Sequence, residues 1–196
     1  MKRALFGNGG HAREVMLQMG ESNLVRFIDD EFYKEGDKLV LPLSEFNPDE
    51  YEIMIAVGNS FDRARIEKKM PAGTKYFTFI HPTAIVASNV EIGIGAFIGA
   101  FSFVSCNVTL WDHCLLNRAV HIGHDSNIGH FFSAMPGVIV SGGVDIKNRV
   151  YMGTNSCTKE NITIGSDVTI GAQGCVVSDL FDMGTYVGVP AKPLYI

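Results

Sequence analysis

From Val86 to Val176 an aliphatic residue returns at every sixth position: Val86, Ile92, Ile98, Val104, Leu110, Leu116, Ile122, Ile128, Val140, Ile146, Met152, Ile164, Ile170 and Val176. Ala134 and Thr158 hold the two remaining places without shifting the phase. Glycine often follows one position later (Gly93, Gly99, Gly123, Gly129, Gly153, Gly165, Gly171), and four positions later stands a small or apolar residue such as Ala96, Ser102, Cys114, Val120 or Ser156. Neither the helical period of about 3.6 nor the strand period of about 2 produces this pattern. Units this short cannot bury an apolar face alone, so they must stack into a solenoid.

Residues 1–80 follow a different grammar. Arg3–Phe6 reads as a short strand, GNGGHAREVMLQM turns through glycines into a helix, and Leu24–Ile28 reads as a second strand ending at Asp29 and Asp30. Glu52–Val57 is a further buried strand, Ser60 is placed to cap a helix reaching about Lys69, and Lys75–Ile80 reads as another strand. Strand, glycine turn, helix, strand, then an acidic residue some twenty positions after the glycines, is the outline of a nucleotide-binding βαβ unit. The GxGG followed by alanine departs from the full dinucleotide fingerprint, and a glycine turn that merely lets the helix pack explains it as well. His81-Pro82-Thr83 marks the boundary between residues 1–80 and 81–196.

The six-residue pattern resembles the hexapeptide repeat of left-handed parallel β-helices, in which three hexads make one triangular coil. The fold class this implies is an α/β nucleotide-binding unit followed by an all-β left-handed parallel β-helix of about five coils spaced about 4.8 Å apart. Such prisms usually assemble as homotrimers with active sites in the grooves between subunits. The C-terminal GVPAK, Gly188–Lys192, is similar to the ending of hexapeptide acyltransferases.

Within this repeat stands HIGHDSNIG, His121–Gly129. With Ile122 and Ile128 pointing inward, His124 lies near the end of a prism face, stacked between Cys106 and Gly142, and Asp125 between Asn107 and Gly143. Small neighbours leave space for a substrate. His121, between Phe103 and Ile139, reads as structural. A zinc site needs three or four converging ligands; His113, His121, His124 and His130 do not stack at coil separations, and His130 falls between Asp112 and Asn148. No metal and no resident cofactor are expected.

LLNRAVHIGHDSNIG resembles the N-x-x-x-x-x-x-H-[DE] motif of nucleotide-amino-sugar N-acetyltransferases, the bacillosamine-pathway enzymes among them, and of sialic acid O-acetyltransferases. That resemblance implies acetyl transfer from acetyl-CoA, as co-substrate, to the amino group of a nucleotide-linked amino-dideoxy sugar of the 4-amino-4,6-dideoxyhexose type. His124 is then the general base and Asp125 the carboxylate that tunes it, a role imidazole suits near neutral pH. It also implies substrate contacts at Gly9, Gly10, His11, Asp29, Asp30 and Gly58, and acetyl-CoA contacts at Ser133, Gly142, Thr154 and Ala172. Ser133 stands where many relatives carry a second histidine. Lys147, Arg149 and Lys159 either meet CoA phosphates or form a solvated face. Two other readings remain: O-acetylation of a sugar hydroxyl, and a non-catalytic trimeric scaffold.

Composition narrows the classes further. The net charge of −5 supplies no basic stripe for nucleic acid, and no apolar run is long enough for membrane insertion. Glycines arrive too early in MKRALFGNGG for a secretory h-region. The four cysteines form no CxxC pair, so a cytoplasmic protein with free thiols is expected, with Cys157 and Cys175 one coil apart.

Overall fold

The computed structural model describes residues 1–195. The first part is a parallel sheet of β1 (Lys2–Phe6), β2 (Val25–Ile28), β3 (Val40–Pro42), β4 (Tyr51–Ile55) and β5 (Lys75–Tyr76), in the order β3-β2-β1-β4-β5. Two helices accompany it, α1 (Gly10–Met19) and α2 (Ser60–Glu67). Helix α1 starts at Gly9 without a side-chain cap and stops at Gly20, whose φ of 70° turns the chain out of the helix. Helix α2 is capped by Asn59, one residue before the expected Ser60: its side-chain oxygen accepts from Phe61 N at 2.9 Å and Asp62 N at 3.0 Å. Ser60 instead donates its hydroxyl to the carbonyl of Arg149 at 2.9 Å.

The expected strand Lys75–Ile80 is divided into Lys75–Tyr76 and Phe79–Ile80. Phe77 turns into a buried cluster, and the Thr78 hydroxyl donates to Gly93 O at 3.0 Å, which moves the chain from the sheet to the first strand of the prism. From there short strands alternate among three parallel sheets. Register partners such as Val104 and Ile122, Leu110 and Ile128, and Leu116 and Ala134 are eighteen residues apart. The periodic aliphatics, Ile98 through Val176, form one continuous interior. Every non-glycine residue with positive φ lies on a six-residue series from Phe101 to Gln173, one at each prism corner. The corner backbone therefore sits in the left-handed region whatever residue occupies it, a local cost that the ladders on either side offset.

The three faces carry different outward columns. On one, Phe97 and Leu115 pack with Leu5, Ala12, Val15, Met16, Met54, Ala56 and Phe77 of the sheet unit. On the second, Glu91, Thr109, Asn127, Asp145 and Thr163 form a polar column. On the third, Ile85, Phe103, His121, Ile139, Cys157 and Cys175 stand in register, and Ile85, Phe103 and Ile139 are 62%, 41% and 49% exposed.

Arg63, on the inner side of α2, pins the two units together. It is buried, and its donors reach only backbone carbonyls and one hydroxyl: His113 O at 3.0 Å, Val57 O at 2.7 Å, Phe131 O and Phe132 O at 2.9 Å, and Ser133 Oγ at 2.9 Å. Burial draws its guanidinium down to about 10, still protonated at neutral pH. No helix among the described residues is long and apolar enough to cross a membrane.

Two expectations follow. Ala119 is exposed and holds a φ of 55°, so Ala119→Gly should stabilise the fold by about 1 kcal/mol, seen as a rise in Tm. Arg63→Met leaves several buried carbonyls without donors and should cost about 3 kcal/mol or more, measured by urea unfolding.

Candidate active site

His124 and Asp125 occupy the corner between the apolar exposed face and the polar face, after the strand His121–Ile122. The imidazole Nδ1 donates to Asp125 Oδ2 at 2.7 Å, and the two side chains are 63% and 58% exposed. Asp125 Oδ1 accepts from Asn107 Nδ2 at 2.9 Å. That hydrogen bond, and next the one from His124, hold the Asp125 carboxyl below its ordinary range, so it is ionised at neutral pH. With Nδ1 committed to the carboxylate, Nε2 carries the lone pair that can accept a proton.

The ring extends over Gly142, one coil further on. A Cβ built there would lie 2.7 Å from Nε2 and 2.8 Å from Cε1, so glycine is what gives the imidazole its place. Cys106, one coil before, is exposed and makes no hydrogen bond to His124 among the described residues. His130 pairs instead with Asp112 Oδ2 at 3.4 Å, and its amide donates to Asn148. Among the described residues no three His, Cys, Asp or Glu side chains converge in a way that could hold a metal ion.

The residues expected to meet acetyl-CoA separate into three places. Gly142 shares the corner of His124, whereas Thr154 and Ala172 lie exposed and one coil apart on the corner at the other edge of the apolar face. Ser133 is on neither corner. It is fully buried beneath the sheet unit, donating to Gly58 O at 2.8 Å and accepting from Arg63. Its hydroxyl is consumed in holding the two units together, so within this chain it is not free for the acetyl-CoA contact expected of it. Lys147 pairs with Asp145, and Arg149 makes a two-point contact with Asp167 at 2.7 and 2.9 Å, so both serve the coil's own surface.

The sheet unit holds a cleft of about 380 Å³ at the ends of its strands, lined among others by Gly9, Asp29, Phe32, Val57 and Arg65. A Cβ at Gly9 or Gly58 would meet nothing within 4 Å, so no packing within the chain requires glycine there and the backbone is open to close approach. Gly10 is similarly open, with only the Arg13 side chain at 3.9 Å. Asp29 pairs with Lys69 at 2.8 Å, and Asp30 accepts from Ser44 N at 3.0 Å. The His11 side chain points elsewhere, its ring edge-on to Phe97 at 5.9 Å and its Nε2 without a partner. At this position the α1 amides, not the imidazole, face outward from the helix start.

Phe32 and Arg65, absent from the sequence-based set, line the cleft as an exposed aromatic and a cation. The sheet unit touches the prism at one face and its two flanking corners, through Gln18 to Ala100 N and through Arg63 to His113 O. His124 is on the third corner, so the cleft and the histidine of one chain are on different sides of the prism.

Residues 2–70 match the family model described as the PglD N-terminal domain. GDP-perosamine N-acetyltransferase of Escherichia coli O157:H7 is 27% identical over 174 residues, 81% of this chain and 78% of that protein. The acetyltransferase domain of PglB from Neisseria gonorrhoeae FA1090 superposes with a TM-score of 0.87 at 32% identity, covering 98% of this chain and 99% of that one. PerB from Caulobacter crescentus, solved in complex with CoA and GDP-perosamine, gives a TM-score of 0.88 at 26% identity, covering 100% and 98% of the two chains. A coiled prism of parallel strands with an eighteen-residue register, together with these relatives, places the chain among acyltransferases of the hexapeptide-repeat class. Within that class this chain belongs to the nucleotide amino-sugar N-acetyltransferase family, enzymes that take acetyl from acetyl-CoA.

The interface between the units predicts an acid dependence. Burial, and next the Arg63 charge, lower both His11 and His113 from 6.5 to about 4. Between those values the unfolded chain binds more protons than the folded one, so stability is complete above about 6.5 and falls as the pH drops toward 4. His113 stacks on Phe131 at 5.1 Å with Nδ1 unpartnered. His113→Phe should therefore fold and flatten the decline of Tm between pH 6.5 and 4.

Proposed function

We propose that this enzyme acetylates the amino group of a nucleoside-diphosphate-linked 4-amino-4,6-dideoxyhexose, with His124 as general base and Asp125 as its fixed partner. The observation that carries this reading is the 2.7 Å bond between Nδ1 and Asp125, which leaves Nε2 as the ring nitrogen available to an acceptor. Nε2 accepts a proton from the sugar amine as nitrogen attacks the acetyl carbonyl, the C–S bond breaks, and the imidazolium returns that proton to the departing CoA sulfur. The cleft beside Gly9, Gly10, Gly58, Asp29 and Asp30 takes the nucleoside diphosphate, its phosphates at the amides opening α1. GDP-perosamine, the ligand of the Caulobacter structure, is the kind of acceptor this arrangement fits.

The prism, read as a left-handed parallel β-helix, works as a homotrimer in this proposal. The cleft and His124 of one chain lie on different sides of the prism, and Gly142 is one face away from Thr154 and Ala172. One acetyl-CoA or one acceptor reaches both halves of its site only if a second copy supplies the other half. The exposed column of Ile85, Phe103 and Ile139 is the apolar surface available for that contact.

Thiol release from acetyl-CoA should be rapid with nucleoside-diphosphate 4-amino sugars and absent with free sialic acid. His124→Ala should lower kcat about 100-fold or more, while Cys106→Ala keeps most of its turnover and initial-rate lines intersect. Sedimentation should show a trimer. Parallel lines with an inactive Cys106→Ala would replace the direct route with a thioester on the enzyme. A fully active monomer would remove the shared site, and turnover of sialic acid alone would move the reaction to hydroxyl acceptors.

A further inference from the structure

The corner that carries Asp125 repeats through the coils as Asn89, Asn107, Asp125, Gly143 and Asn161. Asn107 and Asp125 share the same φ of 56°, so their side chains leave the prism in the same direction and meet from coil to coil. Asn89 Nδ2 donates to Asn107 Oδ1 at 2.5 Å, and Asn107 Nδ2 donates to Asp125 Oδ1 at 2.9 Å. Asp125 Oδ2 then accepts from His124 Nδ1 at 2.7 Å. Two of these bonds end on the carboxylate, and the third holds the Asn107 amide that donates one of them. An ionised carboxylate only accepts, so Asn107 must turn its NH2 toward Asp125 and leave its carbonyl for Asn89. On the far side the row stops at Gly143, which has no side chain to compete for the carboxylate.

We propose that Asn107, backed by Asn89, is a positioning residue for acetyl transfer. It holds the Asp125 carboxylate at the angle that fixes His124 as the Nδ1–H tautomer with Nε2 free. The proposal rests on His124 being the base. Without Asn107, Asp125 rotates about its own side-chain bonds, and the imidazole relaxes toward the Nε2–H tautomer that free histidine prefers and that cannot accept a proton at Nε2.

The test uses the full-length enzyme labelled with 15N-histidine. Ring nitrogen–proton correlations at alkaline pH report the tautomer of His124, and kcat and KM for acetyl-CoA are measured alongside. Asn107→Gly accepts the left-handed backbone and removes the amide. Asn107→Asp keeps the shape and loses the donor. Asn89→Ala, at a residue without positive φ, frees the Asn107 amide and serves if either Asn107 variant fails to fold. Expected for both Asn107 variants are a partial shift to the Nε2–H tautomer and a kcat about tenfold lower, the scale of one hydrogen bond to a charged group, with KM for acetyl-CoA unchanged. Asn89→Ala should move both readouts the same way by less. An unchanged tautomer with unchanged kcat in the variants overturns the proposal. If His124→Asn itself keeps full turnover, the assignment of the base fails instead, so the two failures are told apart.

Discussion

A protonated guanidinium with no carboxylate opposite it holds this molecule together. Arg63 is buried against carbonyls of its own loop, Val57 and Gly58, and of two prism segments, at His113 and at Phe131 and Phe132. A buried charge is tolerated only when its donors are matched, and Val57 O, His113 O and Phe131 O would lose their donor without it. The bonds are mutual, so the loop before α2 cannot shift without stranding polar groups on the prism. The same loop carries Val57, which lines the cleft, and this ties the placement of the cleft to the prism wall.

With the sheet unit fixed to one face, the other two acquire distinct roles. A polar column faces water, and an apolar column with His124 and Gly142 at one edge and Thr154 and Ala172 at the other is left exposed. The His124–Asp125 pair thus sits beside apolar surface, where exclusion of water would strengthen its hydrogen bonds. The histidine does not need burial in its own chain for this. It needs a rigid direction, which the ladder beneath it and the missing Cβ above it supply.

The prism was legible because its inward slots are filled almost throughout by aliphatics, so a period of six survives the one polar exception at Thr158. The stacking of His124, Cys106 and Gly142, and of Asp125 with Asn107, follows from that period, and the structure has the same neighbours. What local pattern does not encode is which outward face another unit will cover. Ser133 and His11 therefore read as site residues, while in the fold they are buried where the units meet. Arg63 is harder still, since a charged residue in a short helix reads as surface. The signal present was its place with Ser60, Ala64 and Ile66, the residues α2 buries. Neighbouring Asn59 and Ser60 are both good caps, and only the contact of Ser60 with Arg149 separates their roles.

The corner backbone has a consequence for how such a chain can change its length. Each coil hands the next an identical hydrogen-bonding frame, with a left-handed residue every six positions. Losing one residue inside a strand would turn all later side chains inside out, so small length changes there are lethal to the frame. Adding or removing a complete coil of eighteen residues restores it. Between those extremes, a loop can bud outward at a corner and return to the same frame. Growth by whole coils at the C-terminal end would lengthen the wall while leaving His124, Asp125 and Gly142 in place.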